Sequence, residues 1–526
     1  MTKQTFIKGT MILLAAGIIN RILGFIPRMA LPRVIGAEGI GLYQMGWPFL
    51  VVILTVVTGG IPVAVAKLVA AAEAEGNEAR VRSIFRIALT LAGTLGLAFT
   101  GIILFGARWI TDHLFTDPRV YYTFLCMTPI VPLVAVSSVY RGYFQGRQNM
   151  IPTALSQVTE TLVRIVTVLA FAYMMLPYGI SYAAAGAMVG VLAGEIAAML
   201  VLLLLYKRDF KQQKPAASLS AAQTSSKRKP AFGGPSNFKQ LLRLALPVTG
   251  SKLVGSGSYF LESILIVQSL AAAGVATAMA TAQYGALQGM VIPVLMLPSA
   301  LTYSLAVSLI PSLSEAAAKG DMKTIHMRLH QSLRLALVTG APFSILMYVL
   351  AEPICTYMYA QPEVGAMLRL MAPAALFIYL QAPLQAALQA LDKPGAALIN
   401  TLIGSAVKLS LIYWLASRPE FGILGAIVAI TVNIMLVTIL HGYSVARLLQ
   451  FKMSGLDFVK AGISMAGAGL VSALLMKSPW IEDGLSRFLA ACAAGFMLYL
   501  VLALLTRLID RQDFFRILWL SKKFVK

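Results

Sequence analysis

Residues 11–34 read MILLAAGIINRILGFIPRMALPRV, an apolar run that is interrupted by Arg21 and Arg28. The run is long enough for a helix that crosses the hydrocarbon core of a bilayer. Positions seven residues apart are separated by about two helical turns, so Arg21, Gly24 and Arg28 share one face of that helix. Because a charge in the lipid interior costs about 3 kcal/mol, we expect both guanidinium groups to face protein or a water-filled cavity.

The composition is that of a membrane protein. The 526 residues are 58% hydrophobic and only 12% charged, and the mean hydropathy is +0.79. A soluble domain has about twice that charged fraction. The sequence therefore predicts an all-α polytopic membrane protein. The net charge of +22 is assigned to cytoplasmic loops, and no nucleic-acid partner is expected.

Apolar runs predict about fourteen transmembrane helices, the first of them a retained span rather than a cleaved signal peptide. Their approximate bounds are 10–34, 43–71, 84–110, 121–144, 151–176, 180–206, 240–268, 280–314, 330–355, 366–390, 394–416, 422–448, 457–477 and 487–508. Most of the 43 lysines and arginines fall in alternate connections. The count groups Arg141, which falls near the end of the fourth span, with Arg147 in the connection that follows it. The positive-inside rule then places both termini in the cytoplasm.

A long polar connection divides the chain. We expect an N-lobe of six helices at 1–206, a flexible basic cytoplasmic linker at 207–239, and a C-lobe of six helices at 240–450. The linker prediction depends on its Lys, Ser, Gln and Pro content. Two terminal helices and a basic cytoplasmic tail are expected at 451–526.

The two lobes repeat one another in sequence. TPIVPLVAVSSVYRGYFQG at 128–146 aligns with APAALFIYLQAPLQAALQA at 372–390, and the same offset pairs Arg164 with Lys408. Since each repeat has an even number of helices, both have the same orientation. Repeats of this kind are related by an axis along the membrane normal, and the substrate path is expected between them.

Ionisable and polar side chains within the spans define a candidate site. The candidates for substrate binding are Arg21, Gly24, Arg28, Lys67, Arg164, Lys252 and Lys408. The candidates for ion pairing or coupling are Glu160, Glu195, Glu262, Asn400, Thr401 and Asn433. Because cations outnumber carboxylates, the set favours an anionic substrate. Arginine suits phosphate, since its planar fork donates two hydrogen bonds to phosphate oxygens.

Most of these residues also have a structural interpretation. Glu160 and Arg164 are four residues apart, so an intrahelical ion pair is as reasonable an interpretation as substrate contact. Lys252 and Arg28 are near enough to span ends to reach a membrane interface. Glu195 follows a glycine-rich stretch and could pair with a cation where two helices pack closely.

Coupling to Na⁺ or to a proton is open at this point. Glu262, Asn400, Thr401 and Asn433 could supply oxygen ligands for Na⁺, or a carboxylate could carry a proton; hydrogen bonds between packed helices are the alternative. Arg21 lies about 15 Å from the start of its helix, close to the midplane. It is therefore the strongest candidate for substrate contact.

The sequence argues against an enzyme. It has no G-x-x-x-x-G-K-[ST] motif for phosphate binding and no large outer loop for a catalytic domain. His326 and His330 lack a glutamate in the His-Glu-x-x-His arrangement. The three cysteines lie in separate apolar segments, so neither a disulfide framework nor a metal cluster is expected. We expect no catalytic residue, no metal site and no cofactor.

Four segments carry a resemblance to a known family. They are KQTFIKGTMILLAAGIINRILGFIPRMALPRVIGAEGIGLYQMGWPF (3–49), GGIPVAVAKLVAAAEAEGN (59–77), YRGYFQGRQNM (140–150) and IPSLSEAAAKGD (310–321). With them, the full chain resembles sporulation members of the polysaccharide-flippase branch of the multidrug/oligosaccharidyl-lipid/polysaccharide exporter superfamily. The branch includes the lipid II flippases. Its fold is two six-helix lobes plus two terminal helices.

The resemblance implies a flippase in a bacterial cell membrane. Its substrate would be an undecaprenyl-pyrophosphate-linked glycan, such as lipid II for spore cortex peptidoglycan, moved by alternating access. Lipid II flippases carry two arginines around Leu-Gly-Phe in the first span, and Arg21, 23–25 and Arg28 are similar with one extra residue. They also carry an Arg and a Glu in span 8, where this chain has Gln283 and Gln288. Another lipid-linked oligosaccharide is therefore an open alternative.

Two other functions are open. One is an ion-coupled exporter of small drugs or metabolites, which the excess of cations disfavours because cationic drugs favour acidic, aromatic cavities. The other is a non-transporting membrane scaffold for cell-wall synthases, which would also be partners of a flippase.

Overall fold

The computed structural model describes residues 6–221, 237–451, 453–479, 481 and 483–509. Within these ranges the chain is helical and contains no strand. Backbone amides and carbonyls in a bilayer must be satisfied within the protein, and helices achieve this inside one segment. The predicted all-α membrane fold is thus confirmed.

The chain divides into two compact units, Met1–Ala271 with Val275–Gly285 and Ala272–Gly274 with Ala286–Lys526. The helices of the first unit are α1 (Phe6–Thr58), α2 (Ile61–Ala74), α3 (Glu78–Leu114), α4 (Val120–Met127), α5 (Ile130–Gly146), α6 (Ile151–Met175), α7 (Ile180–Ala221), α8 (Asn237–Ala272) and α9 (Thr277–Gly285). Those of the second unit are α10 (Ile292–Met296), α11 (Ser299–Ala318), α12 (Met322–Val349), α13 (Ala351–Tyr359), α14 (Gly365–Ala390), α15 (Pro394–Leu411), α16 (Ile423–Leu449), α17 (Gly455–Met476) and α18 (Gly484–Leu505).

Twelve helical segments of the described chain are long and apolar enough to cross a membrane. Predicted spans 1 and 2 fall within one of them, Ala15–Ala74. Predicted span 8 is instead divided among α9, a π-helical turn at Ala286–Val291, α10 and α11. These two features account for much of the difference from fourteen, and that number stays a prediction.

The predicted linker overlaps two helices. Helix α7 continues to Ala221 and α8 begins at Asn237, so both ends of the 207–239 segment are helical. Residues 222–236, with the basic cluster at 227–229, lie outside the described residues, as does the tail at 510–526. The linker and the lobe boundaries stay predictions.

Helix α1 contains a break at Gly36, where φ is 68°. Glycine adopts this backbone conformation without the steric cost that a Cβ imposes. The break falls between predicted spans 1 and 2, and it separates an arginine-bearing first part of α1 from a second part that carries Tyr43.

Glycines allow α1 to cross α9 at very short range. A methyl group at Gly285 would collide with the carbonyl oxygen of Ala37 and with the backbone of Gly41. A methyl group at Gly41 would likewise collide with the carbonyl of Thr281. Small residues permit this backbone approach between membrane helices, where dispersion contacts drive association.

A buried ion-pair cluster, which we call the Asp117 cluster, joins α1, the loop before α4, and α9. The Asp117 side chain is 1% exposed and accepts hydrogen bonds from Arg119 Nη2 and Thr281 Oγ1, both at 2.8 Å. Arg119 Nη1 also pairs with Glu38 at 2.6 Å. Burial raises the pKa of Asp117, but the hydrogen bonds from Arg119 and Thr281 outweigh it and hold the pKa below its usual range.

The core of the second unit lies among α11, α12, α14, α16, α17 and α18. Two buried tyrosines bind carbonyls around the π-helical turn. Tyr359 donates to the carbonyl oxygen of Met290 at 3.1 Å, and Tyr379 donates to that of Leu295 at 2.9 Å. Because interrupted helices leave backbone groups without helical partners, these hydroxyls stabilise the interruption.

Candidate functional site

The first-span arginines occupy one helix face, as their spacing predicts. Before Gly36, α1 has helical backbone angles, and both Arg21 and Arg28 are exposed rather than covered by protein. A methyl group at Gly24 would contact nothing within 4 Å. Helix α1 therefore presents two cations and an open position between them.

Two tyrosines that the sequence did not single out interact electrostatically with Arg28. Tyr43, on the second part of α1, interacts electrostatically with both Arg28 and Arg164. Tyr259 on α8 interacts with Arg28 and Glu262. Aromatic residues in a hydrophobic helix are usually packing residues, so nothing in the sequence around Tyr43 or Tyr259 indicated a place in the candidate site. Arg28 and Arg164 are thus electrostatic neighbours of Tyr43, and Arg28 and Glu262 are electrostatic neighbours of Tyr259.

Glu160 pairs with two arginines. Arg164 Nη1 lies 3.1 Å from Glu160 Oε1, which confirms the intrahelical pair that the four-residue spacing allows. Arg141 Nη2 lies 3.1 Å from Glu160 Oε2. Arg141 lies within α5, about one turn before its end, which agrees with the predicted fourth span at 121–144 and not with its place in the charge count. The charge count could not show this, since a cation at the end of a span resembles a loop residue.

Glu195 completes this group of charges. It lies on α7, interacts electrostatically with Glu160, Arg141 and Arg164, and its Oε2 atom is buried without a hydrogen-bond partner in the described structure. The group contains two carboxylates and two guanidinium groups. We call Arg141, Glu160, Arg164 and Glu195 the Glu160 cluster.

Lys252 has a structural partner. Its Nζ donates to the carbonyl oxygen of Gly59 at 2.9 Å, just before α2 begins. Nearby, the Gly60 amide donates to Thr249 Oγ1 at 3.0 Å. These contacts fasten α8 to the α1–α2 junction. Lys67, on α2, is exposed.

The remaining candidates lie in the second unit. Lys408 is buried on α15 with 7% exposure, unlike the more exposed Arg164 with which it aligns. Asn400 is also buried and hydrogen-bonds to His441 Nδ1 at 3.1 Å and to Ser444 Oγ at 2.9 Å, both on α16. These contacts match the interpretation of Asn400 as a helix-packing residue.

The other two coupling candidates differ in hydrogen bonding. Thr401 Oγ1 donates to the carbonyl oxygen of Ala397 at 2.9 Å, within α15. Asn433 Oδ1 is buried without a hydrogen-bond partner in the described structure. Asn433 therefore keeps an acceptor that a cation or a donor could use.

Comparisons with known proteins agree with this fold. The chain matches the family described as Polysaccharide biosynthesis protein over residues 6–317, and MatE over residues 257–414. It is 41% identical to Stage V sporulation protein B of Bacillus subtilis (strain 168), over 98% of each chain. It is 26% identical to Lipid II flippase MurJ of the same strain, over 77% of this chain and 76% of that protein.

A solved structure shows the same architecture. The structure titled "Lipid II flippase MurJ, inward closed conformation" superposes with a TM-score of 0.67 at 16% identity, covering 95% of this chain and 100% of that chain. The fold and these matches define a multi-span membrane transporter of the multidrug/oligosaccharidyl-lipid/polysaccharide exporter superfamily. Within it, the chain belongs to the polysaccharide biosynthesis protein family.

Proposed function

We propose that this protein is a flippase that moves an undecaprenyl-pyrophosphate-linked glycan to the outer leaflet of a bacterial cell membrane by alternating access. The observation that carries the proposal is the pair of exposed arginines within the apolar first span. Cations at such a position are expensive without an anionic partner or water. A pyrophosphate is an anionic ligand suited to both arginines, and each guanidinium can bind its oxygens with two hydrogen bonds.

The substrate class follows from the charge and from the relatives. A lipid II-type precursor for spore cortex peptidoglycan fits the similarity to Stage V sporulation protein B and to Lipid II flippase MurJ. The glutamines Gln283 and Gln288 in span 8 leave room for another lipid-linked oligosaccharide. Arg21 and Arg28 would bind the pyrophosphate first. Arg164, which like Arg28 interacts electrostatically with Tyr43, would then also bind it.

The test uses the full chain in vesicles with fluorescent lipid II, and it measures how fast the probe becomes accessible outside. Arg21→Ala and Arg28→Ala should each reduce the rate by at least about tenfold, since each removes a charged hydrogen-bonding partner. Lys319→Ala is the control, because this exposed lysine pairs with a neighbouring surface glutamate, Glu315. Unchanged movement in both arginine variants would remove their proposed role.

The same assay separates the other functions. Transport of cationic drugs but not of lipid II would favour a small-molecule exporter. Absence of any transport, with cell-wall synthases co-purifying, would favour a scaffold. Na⁺ or proton coupling is part of the proposal, and it is tested by imposing a Na⁺ or pH gradient across the vesicle.

A further inference from the structure

The Glu160 cluster divides one carboxylate between two guanidinium groups. Glu160 Oε1 accepts from Arg164 and Oε2 accepts from Arg141, each at 3.1 Å. The side chains differ in exposure: Glu160 is 13% exposed, Arg141 20% and Arg164 27%. Of these three side chains, Arg164 is thus the most accessible to a ligand.

Helix packing holds the cluster in place. A methyl group at Gly194 on α7 would lie 3.0 Å from both Arg164 Cβ and the carbonyl oxygen of Glu160. Helix α7 therefore rests directly on the α6 turn that carries the pair, and brings Glu195 beside it. Two hydrogen-bonding atoms of the cluster, Arg141 Nε and Glu195 Oε2, are buried without partners in the described structure. Arg141 thus has an unused donor, and Glu195 an unused acceptor.

The Glu160 cluster and the first-span arginines have a common neighbour in Tyr43. Tyr43 interacts electrostatically with Arg164 and with Arg28. Arg164 therefore contacts the Glu160 carboxylate, and it shares Tyr43 with Arg28 as an electrostatic neighbour. A ligand phosphate that reached Arg164 would compete with Glu160 for the same guanidinium.

We propose that the substrate's pyrophosphate displaces Glu160 from Arg164, and that Arg141 then retains the Glu160 carboxylate. This inference rests on the proposed function. Glu160 competes with the substrate anion for the Arg164 guanidinium. Arg141 is a positioning residue, because it keeps the released Glu160 carboxylate paired and so lowers the free energy needed to free Arg164. A ligand shifts a conformational equilibrium only through contacts that differ between the two states. Exchange of Glu160 for pyrophosphate at Arg164 is such a difference, so a bound substrate would alter the contact between α5 and α6.

The test measures binding of inorganic pyrophosphate to the full chain in detergent, together with lipid II movement in vesicles. Glu160→Gln removes the competitor, so the affinity for pyrophosphate should rise about threefold to tenfold while lipid II movement falls. In Arg141→Met, Arg164 is the remaining arginine that pairs with Glu160 and holds it more tightly, so the affinity for pyrophosphate should fall by about threefold. Glu315→Gln, in the exposed pair with Lys319, is the matched control and should change neither quantity.

A merely structural role predicts lower affinity in both variants, with lower melting temperatures. A folded Glu160→Gln protein that binds pyrophosphate no more tightly than the natural chain would overturn the exchange. If Glu160→Gln does not fold, Glu160→Asp provides the same test, since its shorter side chain should release Arg164 and raise affinity. If the natural chain moves no lipid II but the two variants still shift affinity in opposite directions, the proposed substrate fails and the exchange stands.

Discussion

Thr281 Oγ1 donates a hydrogen bond to Asp117 Oδ2 at 2.8 Å, joining α9 to the loop before α4. The same carboxylate holds Arg119, which in turn pairs with Glu38 on α1. Three separate parts of the first unit therefore depend on one buried carboxylate. A group that is 1% exposed and bonded to charged partners should contribute measurably to folding.

Asp117→Asn should reduce the free energy of unfolding by about 2–3 kcal/mol at neutral pH, and Thr281→Val by about 1 kcal/mol. The pKa of folded Asp117 is lowered, so its contribution is fully present above the pKa of the unfolded chain. That contribution is lost as the pH falls through the folded pKa. The difference in melting temperature between the natural chain and Asp117→Asn should therefore be constant above about pH 5 and shrink below about pH 4.

Thermal unfolding in detergent across this pH range provides the measurement for the Asp117 cluster. Asp112→Asn is the control, because Asp112 is exposed on the neighbouring end of α3. A melting-temperature difference that persists unchanged to pH 3 would contradict the assignment.

Gly285→Ala should destabilise the first unit by about 3 kcal/mol or prevent folding, because its methyl group has no space at the α1–α9 crossing. Gly101→Ala on α3 should have the opposite sign, since nothing lies within 4 Å of its added methyl group. Alanine in a helix is favoured over glycine by about 1 kcal/mol. Melting temperatures of the two variants give the comparison, and equal destabilisation would contradict the close crossing.

Tyr379→Phe and Tyr359→Phe should each cost about 1 kcal/mol, because each leaves a buried carbonyl near the π-helical turn without its hydroxyl donor. Hydrogen exchange should become faster locally, in residues 286–296. Tyr413→Phe serves as the control, since Tyr413 is 69% exposed. Exchange that accelerates equally throughout the chain would indicate global destabilisation instead.

Asn400→Ala should cost about 1–3 kcal/mol, since it leaves the buried His441 Nδ1 and the part-buried Ser444 Oγ without their amide partner. Thr401→Ala removes only a hydroxyl bonded within its own helix and should change stability by less than about 0.5 kcal/mol. Chemical unfolding of both variants in mild detergent measures the difference. A larger effect at Thr401 would point to a role that the described contacts do not include.

Local features of the fold were the ones that the sequence could predict. The apolar runs and the spacing of Arg21 and Arg28 depend on one helix at a time, and both predictions match the structure. The Glu160–Arg164 pair is also local. Arg141 and Tyr43 lie on other helices than Arg164 and come near it only when the chain folds, so no spacing rule could connect them to Arg164. The hydrogen bonds from Tyr359 and Tyr379 to the carbonyls of span 8 come likewise from residues far along the chain.

The π-helical turn at Ala286–Val291 lies where the chain passes from one compact unit to the other, immediately after Gly285. Such a turn holds one residue more than an α-helical turn would. If it moved along the helix, each residue it passed would rotate by about 100° and advance by about 1.5 Å, as one α-helical step requires. Span 8 can thus present a different row of side chains without unfolding, and Gln288, within the turn, would be among the first to change direction.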